Sequence, residues 1–295
     1  MSFITKQVRG VQGYMTLPPT SPPTTAPPEN LSSGVSAIEA LSAAPITITS
    51  SASAHTKGSW AAINAATAKE YNGLLIAVSL PSVGNVNMLI DIGVGGIGAE
   101  VAAVRDLPLR SNTTADESGC TVYVPLRIAA GSRIVARCQS ADGGSDTCRV
   151  VVQGFVNSNA LYDTIGTYGA TPASTHLTAV DPGASAGTKG TWVPLTASTD
   201  NNIAQVGLLA LLSNLAASTC YWSIDIGVGA EGAEVVVAAD IYIGTHVNFD
   251  RAYHSFVGML PLDIPANSRI AVRAACNITD ATDRILDVAL LGAEW

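Results

Sequence analysis

One twelve-residue block occurs twice in this chain, and its recurrence constrains the fold more than any other feature. Ile90–Val101 reads IDIGVGGIGAEV, and Ile224–Val235 reads IDIGVGAEGAEV, 134 positions later. Upstream, Thr56–Trp60 (TKGSW) recurs as Thr188–Trp192 (TKGTW), after 132 positions. A nearly constant spacing between several matched segments indicates a tandem duplication. The chain therefore holds two copies of one module, which differ by small loop insertions.

The composition indicates sheet-rich packing and a partly covered surface. Only 13% of the 295 residues are charged and 47% are hydrophobic, whereas an ordinary soluble domain is about a quarter charged. So low a charge suits a protein whose surface is partly covered by neighbouring subunits. The net charge of −8 provides no basic surface, so we expect no nucleic-acid partner.

Neither membrane insertion nor secretion is expected. No stretch reaches the roughly 18 apolar residues of a transmembrane helix, and the first residues lack the basic region and apolar core of a signal peptide. We therefore expect a reducing cytoplasm, in which the five cysteines remain free thiols. Only Cys138 and Cys148 bracket a plausible hairpin loop.

Residues 1–45 differ from the rest of the chain and are expected to form an extended arm. Prolines recur there among threonine and serine residues, at Pro18, Pro19, Pro22, Pro23, Pro27 and Pro28. Proline removes backbone donors and favours extended conformations, so this segment cannot build a core of its own. It can be ordered only along another chain or along its own modules. A short helix is predicted at Ser33–Leu41.

Each module shows short, frequent strand signals separated by clusters of Gly, Asn, Asp and Ser. In the first module, residues 46–159, these signals are Ile46–Thr49, Leu74–Val78, Met88–Val94, Thr121–Val124, Arg133–Cys138 and Arg149–Phe155. After a linker at 160–175, the second module at 176–295 repeats the order. This pattern predicts an all-β protein with two tandem β-sandwich domains of jelly-roll type, preceded by the arm.

The repeated block contains a glycine pattern that resembles a dinucleotide-binding fingerprint. Gly93–Gly98 and Gly227–Gly232 both fit G-x-G-x-x-G, but that motif requires a helix to start within it. The residues after the second copy, Glu234–Ile243, are instead rich in β-branched side chains. We expect a glycine-rich hairpin and no nucleotide cofactor.

The repeated acidic residues favour a scaffold over catalysis. Asp91 and Arg137 share one face of their strands, as do Asp225 and Arg273, so ion pairs across strands or at an interface are expected. Asp91 with Glu100 could in principle form a glycosidase pair. Both acids recur in the second module, which fits a scaffold better than two identical active sites. No catalytic residue is assigned.

The histidines and tryptophans give no further site. The histidines show no metal-ligand spacing, so no metal is expected; they are His55, His176, His246 and His254. Trp60 and Trp192 occupy equivalent positions. They are interpreted as half-buried anchors of the core, with sugar-stacking platforms as the alternative.

Three segments carry a resemblance to a known class of modules. They are Ser53–Trp60, Ile90–Gly95 and Ala130–Cys138, and they resemble a module of virion structural proteins of tailed bacteriophages and related prophages. The resemblance covers about 46–155 and, more loosely, 176–295. It implies β-sandwiches on head decorations, head fibres, collars or tail fibres, and it brings no enzymatic residues.

Two functions therefore compete at this point. The first is a non-enzymatic virion component, homo-oligomeric and attached to capsid, neck or tail proteins through its arm. The second is a tail or head fibre that binds a receptor or host surface glycan through a loop-end pocket carrying Trp222, Tyr242 and Tyr253. A polysaccharide-degrading enzyme is disfavoured, because both candidate acids recur in the second module and the resemblance brings no enzymatic residues.

Overall fold

The computed structural model describes residues 38–79, 86–110, 119–156, 162–212, 220–245, 255–279 and 285–295, and Ile38–Trp295 forms one compact unit. The arm up to Ala37 lies outside the described residues, as do Tyr253, His246 and His254. Within the described part of the chain, no helix is long and apolar enough to cross a bilayer.

The described residues form nineteen strands in chain order. Those of the first half are β1 (Ile38–Ala40), β2 (Ile46–Thr49), β3 (Ala61–Asn64), β4 (Gly73–Ser79), β5 (Asn87–Val94), β6 (Val101–Arg110), β7 (Gly119–Val124), β8 (Ile134–Ser140) and β9 (Thr147–Phe155). Those of the second half are β10 (Thr164–Tyr168), β11 (Ala170–Thr171), β12 (His176–Val180), β13 (Val193–Thr196), β14 (Ile203–Leu212), β15 (Cys220–Val228), β16 (Val235–Thr245), β17 (Ser255–Ile264), β18 (Ile270–Cys276) and β19 (Leu286–Glu294).

Each module has eight strands in two antiparallel sheets, with the same pairing in both copies. We call the sheet with the first and last of these strands the terminal sheet; its order is β2-β9-β4-β7 in one module and β12-β19-β14-β17 in the other. The hairpin sheet has the order β3-β8-β5-β6 and β13-β18-β15-β16. Eight strands crossing between two sheets in this order make a jelly roll. The predicted all-β fold with two tandem jelly rolls is confirmed.

Three short strands extend the terminal sheets; one of them, β11, pairs with β12, and the other two are β1 and β10. β1 pairs with β9 beyond the end of β2, and β10 pairs with β19 beyond the end of β12. The helix predicted at Ser33–Leu41 is therefore wrong over Ile38–Ala40, because backbone pairing with β9 overrides the local helix preference. The predicted linker at 160–175 contains β10. The domain boundaries themselves stay predictions.

The apolar faces of the two sheets of each module pack together into a core. In the first module the cluster includes fully buried Leu74, Ile90 and Val122. In the second it includes Trp222 and Ile224, again fully buried. All five cysteines are buried free thiols, as expected. Burial raises the pKa of Cys120 to about 12, which keeps this thiol protonated.

The glycine-rich segment is a hairpin between β5 and β6, and its counterpart joins β15 and β16. Gly95 and Gly98 adopt φ values of +129° and +81°, which glycine reaches without steric cost. Glu234–Ile243 lies almost wholly in β16. The predicted hairpin is confirmed at both places.

The two repeated tryptophans anchor these hairpin sheets. The ring of half-buried Trp60 lies against Gly93, where an added Cβ would come within 2.8 Å of the ring. Trp192 lies in the same way against Gly227, also at 2.8 Å. The invariant glycine in each copy therefore provides the space that the indole fills. This geometry supports the anchor interpretation.

We predict that Gly93→Ala lowers the free energy of unfolding by about 1–3 kcal/mol, because the methyl group must displace the Trp60 ring and overpack the site. Urea unfolding followed by tryptophan fluorescence measures the change. Gly96→Ala is the matched control, since a Cβ at Gly96 has no heavy atom within 4 Å. Equal stability of the two variants would contradict this packing.

Candidate functional site

A three-strand ion cluster lies on the hairpin sheet of the first module. Lys57 Nζ lies 2.8 Å from Asp91 Oδ1 and 2.7 Å from Asp106 Oδ1. Arg137 Nε donates to Asp91 Oδ2 at 2.8 Å. Asp91 is buried and pairs with both cations, so its carboxylate ties the β2–β3 loop to β5 and β8. Asp106 provides the second negative charge. The predicted pair of Asp91 and Arg137 is confirmed.

The second module contains the same cluster. Lys189 Nζ lies 2.7 Å from Asp225 Oδ1 and 3.2 Å from Asp240 Oδ1, and Arg273 Nε donates to Asp225 Oδ2 at 2.9 Å. Ser223 Oγ adds a hydrogen bond to Asp240 Oδ1 at 2.6 Å. The predicted pair of Asp225 and Arg273 is likewise confirmed.

Each cluster is built around a β-bulge. The pairing of β5 with β6 shifts register beside Asp91, and that of β15 with β16 shifts beside Asp225. The bulge residues Asp106 and Asp240 take φ values of 55° and 52°, a left-handed conformation that aspartate tolerates better than most residues. Their backbone N–H groups donate to Asp91 and Asp225, each at 2.9 Å. The buried carboxylate therefore satisfies a donor that the bulge frees from the ladder.

The electrostatics of the second cluster follow from these contacts. Burial alone would raise the pKa of Asp225, but hydrogen bonds from Lys189, the Asp240 amide and Arg273 outweigh it and hold this pKa below its ordinary value. Asp225 therefore stays ionised and fully paired. Such a carboxylate is suited to joining strands, and its low proton affinity does not suit a general acid.

The structure gives Asp91 and Glu100 separate partners. Glu100 Oε1 accepts a hydrogen bond from Arg133 Nη1 at 2.8 Å, and this bond is the leading cause that lowers the pKa of Glu100. In the second module, Glu234 and Arg269 form the equivalent pair at 2.7 Å. Both acids are thus used in ion pairs that recur in the two copies, as a scaffold role predicts.

The Trp60 ring is covered on one face and borders a groove. The Arg137 guanidinium lies 4.2 Å from the ring centroid, and Arg273 lies 4.5 Å from that of Trp192. This stacking is a cation–π contact. A groove of about 530 Å³ runs along Thr47–Ser51 and Lys57–Ala61 beside it. Its lining is rich in hydroxyl groups.

The junction of the two modules centres on Glu294. Both carboxylate oxygens accept hydrogen bonds from Arg105 Nη2 of the first module, at 3.1 and 3.0 Å. Within the second module, Tyr168 Oη donates at 2.8 Å and Asn201 Nδ2 at 3.1 Å. The Glu294 side chain is 1% exposed. Burial, followed by the bond to Glu294, raises the pKa of Tyr168.

A loop of the second module covers the outer face of the first hairpin sheet. Gln139 Nε2 donates to the Pro172 carbonyl at 2.7 Å and to Thr175 Oγ1 at 2.8 Å. The two described histidines also lie here. His55 Nδ1 lies 3.0 Å from Thr175 Oγ1, and His176 Nδ1 lies 2.8 Å from Asn87 Nδ2. Among the described residues, no group of three or more metal-ligand side chains is placed to hold an ion.

The structure does not place the aromatic residues predicted for glycan binding, Trp222, Tyr242 and Tyr253, in one pocket. Trp222 is fully buried in the core of the second module, so its assignment to a loop-end pocket is wrong; it lies on the inner side of β15. Tyr242 is 73% exposed, and Tyr253 lies outside the described residues. Of the two described members, only Tyr242 can contact a partner.

Several residues of these clusters were not identified from the sequence. Lys57 and Lys189 recur in the TKG(S/T)W motif, and Asp106 and Asp240 recur 134 positions apart. A search for polar residues repeated in both copies would have found these four. Glu294 has no such signal, because its counterpart near the end of β9 is apolar.

Comparison with known proteins gives only distant likenesses. No family model and no curated protein matches the chain. Among solved structures, it is similar to a chain of the empty top-component particles of cowpea mosaic virus, with 8% identity, 87% of this chain and 89% of that chain covered, and a TM-score of 0.34.

Two further likenesses are weaker. The tandem CBM22 domains of Xyn10C from Paenibacillus barcinonensis share 9% identity over 88% of this chain and 92% of theirs, with a TM-score of 0.25. The infectious bursal disease virus Gt strain structure shares 14% over 77% of this chain and 58% of that chain, with a TM-score of 0.25. At these scores the likenesses carry no conclusion about function.

We predict that Asp225→Asn lowers the free energy of unfolding at pH 7 by about 1.5–3 kcal/mol, because Arg273 loses its carboxylate partner and Lys189 keeps only the carboxylate of Asp240. The pKa of Asp225 is lowered on folding, so its stabilisation is present above the unfolded-state pKa of about 3.9 and is lost as the pH falls through the folded-state pKa. Urea unfolding between pH 7 and 2.5 should therefore show a shallower acid decline in the variant. Exposed Asp263→Asn serves as control, and an unchanged decline in Asp225→Asn would contradict the paired state.

We predict that Glu294→Gln weakens the module junction and lowers the free energy of unfolding by about 1.5–3 kcal/mol, because a buried charge-assisted hydrogen bond to Arg105 is lost. Glu231→Gln is the matched control, because Glu231 is exposed; its free energy of unfolding should change by no more than about 0.5 kcal/mol. Chemical denaturation measures both. If the two variants unfold alike, Glu294 does not hold the junction.

Proposed function

We propose that this chain is a non-enzymatic structural component of a tailed-phage virion. It lies on the particle surface as a head decoration, head fibre or collar, and its N-terminal arm, residues 1–45, attaches it. The observation that carries this proposal is the module junction: β10 adds a strand to the hairpin sheet of the first module, and the loop after β10 covers the outer face of that sheet. A chain built in this way assembles through sheet edges and faces.

The use of charge within the chain supports the same proposal. The buried acids Asp91, Asp225 and Glu294 are all engaged in ion pairs that join strands or modules. The two hairpin-sheet clusters are the same in both copies, so duplication preserved them as parts of the scaffold. The low overall charge agrees with a surface that neighbouring subunits cover.

The phage assignment rests on the segments Ser53–Trp60, Ile90–Gly95 and Ala130–Cys138, which resemble virion modules. In the structure, these segments contain most of β5 and β8 of the first hairpin sheet and three residues of its ion cluster, Lys57, Asp91 and Arg137. The proposed partners are other virion proteins of the capsid, neck or tail, and further copies of this chain. Assembly then takes place in the bacterial host cytoplasm.

A receptor- or glycan-binding fibre is the alternative. Its strongest support is the groove beside Trp60, with hydroxyl groups and one indole edge. Burial of Trp222 removes one of the aromatic residues on which that function depended. Adsorption of particles lacking this chain to host cells separates the two: a loss of adsorption supports the fibre, and a loss of particle stability alone supports the structural component.

Deletion of residues 1–37 tests the attachment. The cut is placed before Ile38 because β1 and buried Leu41 belong to the folded unit. We predict that the truncated chain keeps the melting temperature of the full chain, since every described strand remains, but fails to sediment with particles that lack the subunit. When the proline-rich arm becomes ordered it loses conformational entropy, and only contacts with a binding partner compensate for this loss. If the truncated chain binds particles as well as the full chain does, the attachment surface lies on the modules.

A further inference from the structure

The strand at the module junction has a counterpart that lacks the same partner. β10 pairs with β19 on one side and, in parallel, with β6 of the first module on the other, at Ile165 and Val104. β1 holds the equivalent place on β9: Glu39 pairs with Gly154 as Gly166 pairs with Gly292. Among the described residues, the other edge of β1 has no strand beside it.

The strand that would fit this edge is also present in the chain. β16 is the counterpart of β6, since Ile224 pairs with Ile241 as Ile90 pairs with Leu107. β6 contacts β10, whereas β16 ends the described part of its sheet. Among the described residues, β1 of the first module and β16 of the second therefore each lack the neighbouring strand that their counterparts β10 and β6 provide for each other.

Side chains of β6 are buried at the junction, whereas the equivalent side chains of β16 are exposed. Ala103 of β6 is 2% exposed, but Val237 at the equivalent position of β16 is 36% exposed. Pro108 is buried at the junction, whereas its counterpart Tyr242 is 73% exposed. Neighbouring Tyr221 is 59% exposed. Val237, Tyr221 and Tyr242 form an apolar patch on the second module, which we call the β16 surface. The equivalent positions of the first module lie at the junction.

The outer faces of the two terminal sheets also differ in burial: that of the second module is covered, and that of the first module is more exposed. Every residue of β19 is buried, because the first module covers its outer face, whereas β9 alternates between buried and more exposed residues. The outer face of the first terminal sheet is apolar at the half-buried residues Leu75, Tyr123, Val151 and Phe155. Ile38 of β1, at its edge, is 51% exposed. We call these five residues the β1 face.

From this repeated geometry we infer that the β16 surface of one copy binds the β1 face of a second copy, with β16 and β1 in parallel as β6 and β10 are within the chain. A second copy of the chain is then one partner in the proposed structural role, and this inference rests on that role. It is heterologous, so successive copies join head to tail and form a ring or a filament. An exposed sheet edge with apolar side chains is a template for this kind of pairing.

Side-chain size compensates for the one difference between the two contacts. Between β10 and β12 the chain has a longer connection, Gly169–Thr175, and Thr175 at its end lines one small cavity together with Asn87 and Pro108 of the first module. Between β1 and β2 the chain has only Leu41–Pro45. The β16 surface carries two large tyrosines where the covered surface has asparagine and proline. The tyrosines fill the volume that the longer loop fills at the junction.

Purified full-length chain tests the contact without particles. We expect self-association by analytical ultracentrifugation, weakened about tenfold or more by Val237→Lys or by Ile38→Asp, each of which places a charge in the contact; tenfold is about 1.4 kcal/mol. Val101→Lys is the matched control and should associate like the unmodified chain. Val101 is an exposed β6 valine, 65% exposed, which the junction leaves uncovered. Unchanged melting temperatures show that the variants fold.

Mixing the two defective variants tests the head-to-tail arrangement. Val237→Lys keeps an intact β1 face, and Ile38→Asp keeps an intact β16 surface. At a concentration at which each variant alone is monomeric, we therefore expect the mixture to form a one-to-one dimer that grows no further. A mixture that stays monomeric overturns the head-to-tail contact, and so does association that both substitutions leave unchanged.

Cross-linking tests the register. The chain that carries both Ile38→Cys and Ala238→Cys should give a ladder of disulfide-linked oligomers under mild oxidation, because these positions are equivalent to the paired Ile165 and Val104. The native thiols are buried and provide no background. A monomer at millimolar concentration, without cross-links, overturns the inference. Particle binding by a chain that stays monomeric would leave the proposed function standing, and oligomers that do not bind particles would contradict that function alone.

Discussion

Open sheet edges are the constraint on which this structure depends. A jelly roll ends each sheet in strands whose outward N–H and C=O groups need a partner or a cover. Between the modules, β10 meets this need by pairing with β6 and β19 at once. The outer face of β19 is then covered, and Glu294 becomes a buried ion-pair partner of Arg105. This added strand, the ion pair of Arg105 with Glu294 and the packing of Ala289 and Leu291 into the core of the first module together join Ile38–Trp295 into one compact unit.

A second constraint acts inside each hairpin sheet. The β-bulge beside Asp91 or Asp225 twists the edge strand but frees a backbone donor and draws two cations to the same place. One buried carboxylate satisfies all three groups. Because these groups depend on one another, all four residues of the cluster recur in the second copy, while the module surfaces diverge. The four residues are Lys57, Asp91, Asp106 and Arg137. The clusters belong to the architecture, and any specificity belongs to the faces that differ.

The sequence predicted the parts of the fold that depend on repetition and periodicity. Alternating segments such as Ile46–Thr49 and Met88–Val94 lie in strands, and the ion pairs expected from strand parity are present. β1 was mistaken for part of a helix, because three residues carry little periodic signal and their pairing with β9 is long-range. Glu294 was missed because the junction exists once. Its partners Arg105, Tyr168 and Asn201 lie 189, 126 and 93 positions away, and no local sequence pattern relates them to Glu294.

The proposed assembly joins copies of this chain as its two modules are joined, with β16 of one copy beside β1 of the next. A cryo-electron microscopy reconstruction of the assembled chain, in which individual strands are traced, tests this contact. We expect a parallel contact between Ile38 and Ala238 of neighbouring copies, with Tyr221 and Tyr242 covered by the β1 face. Copies that meet through other surfaces, with the β16 edge open to solvent, would contradict it.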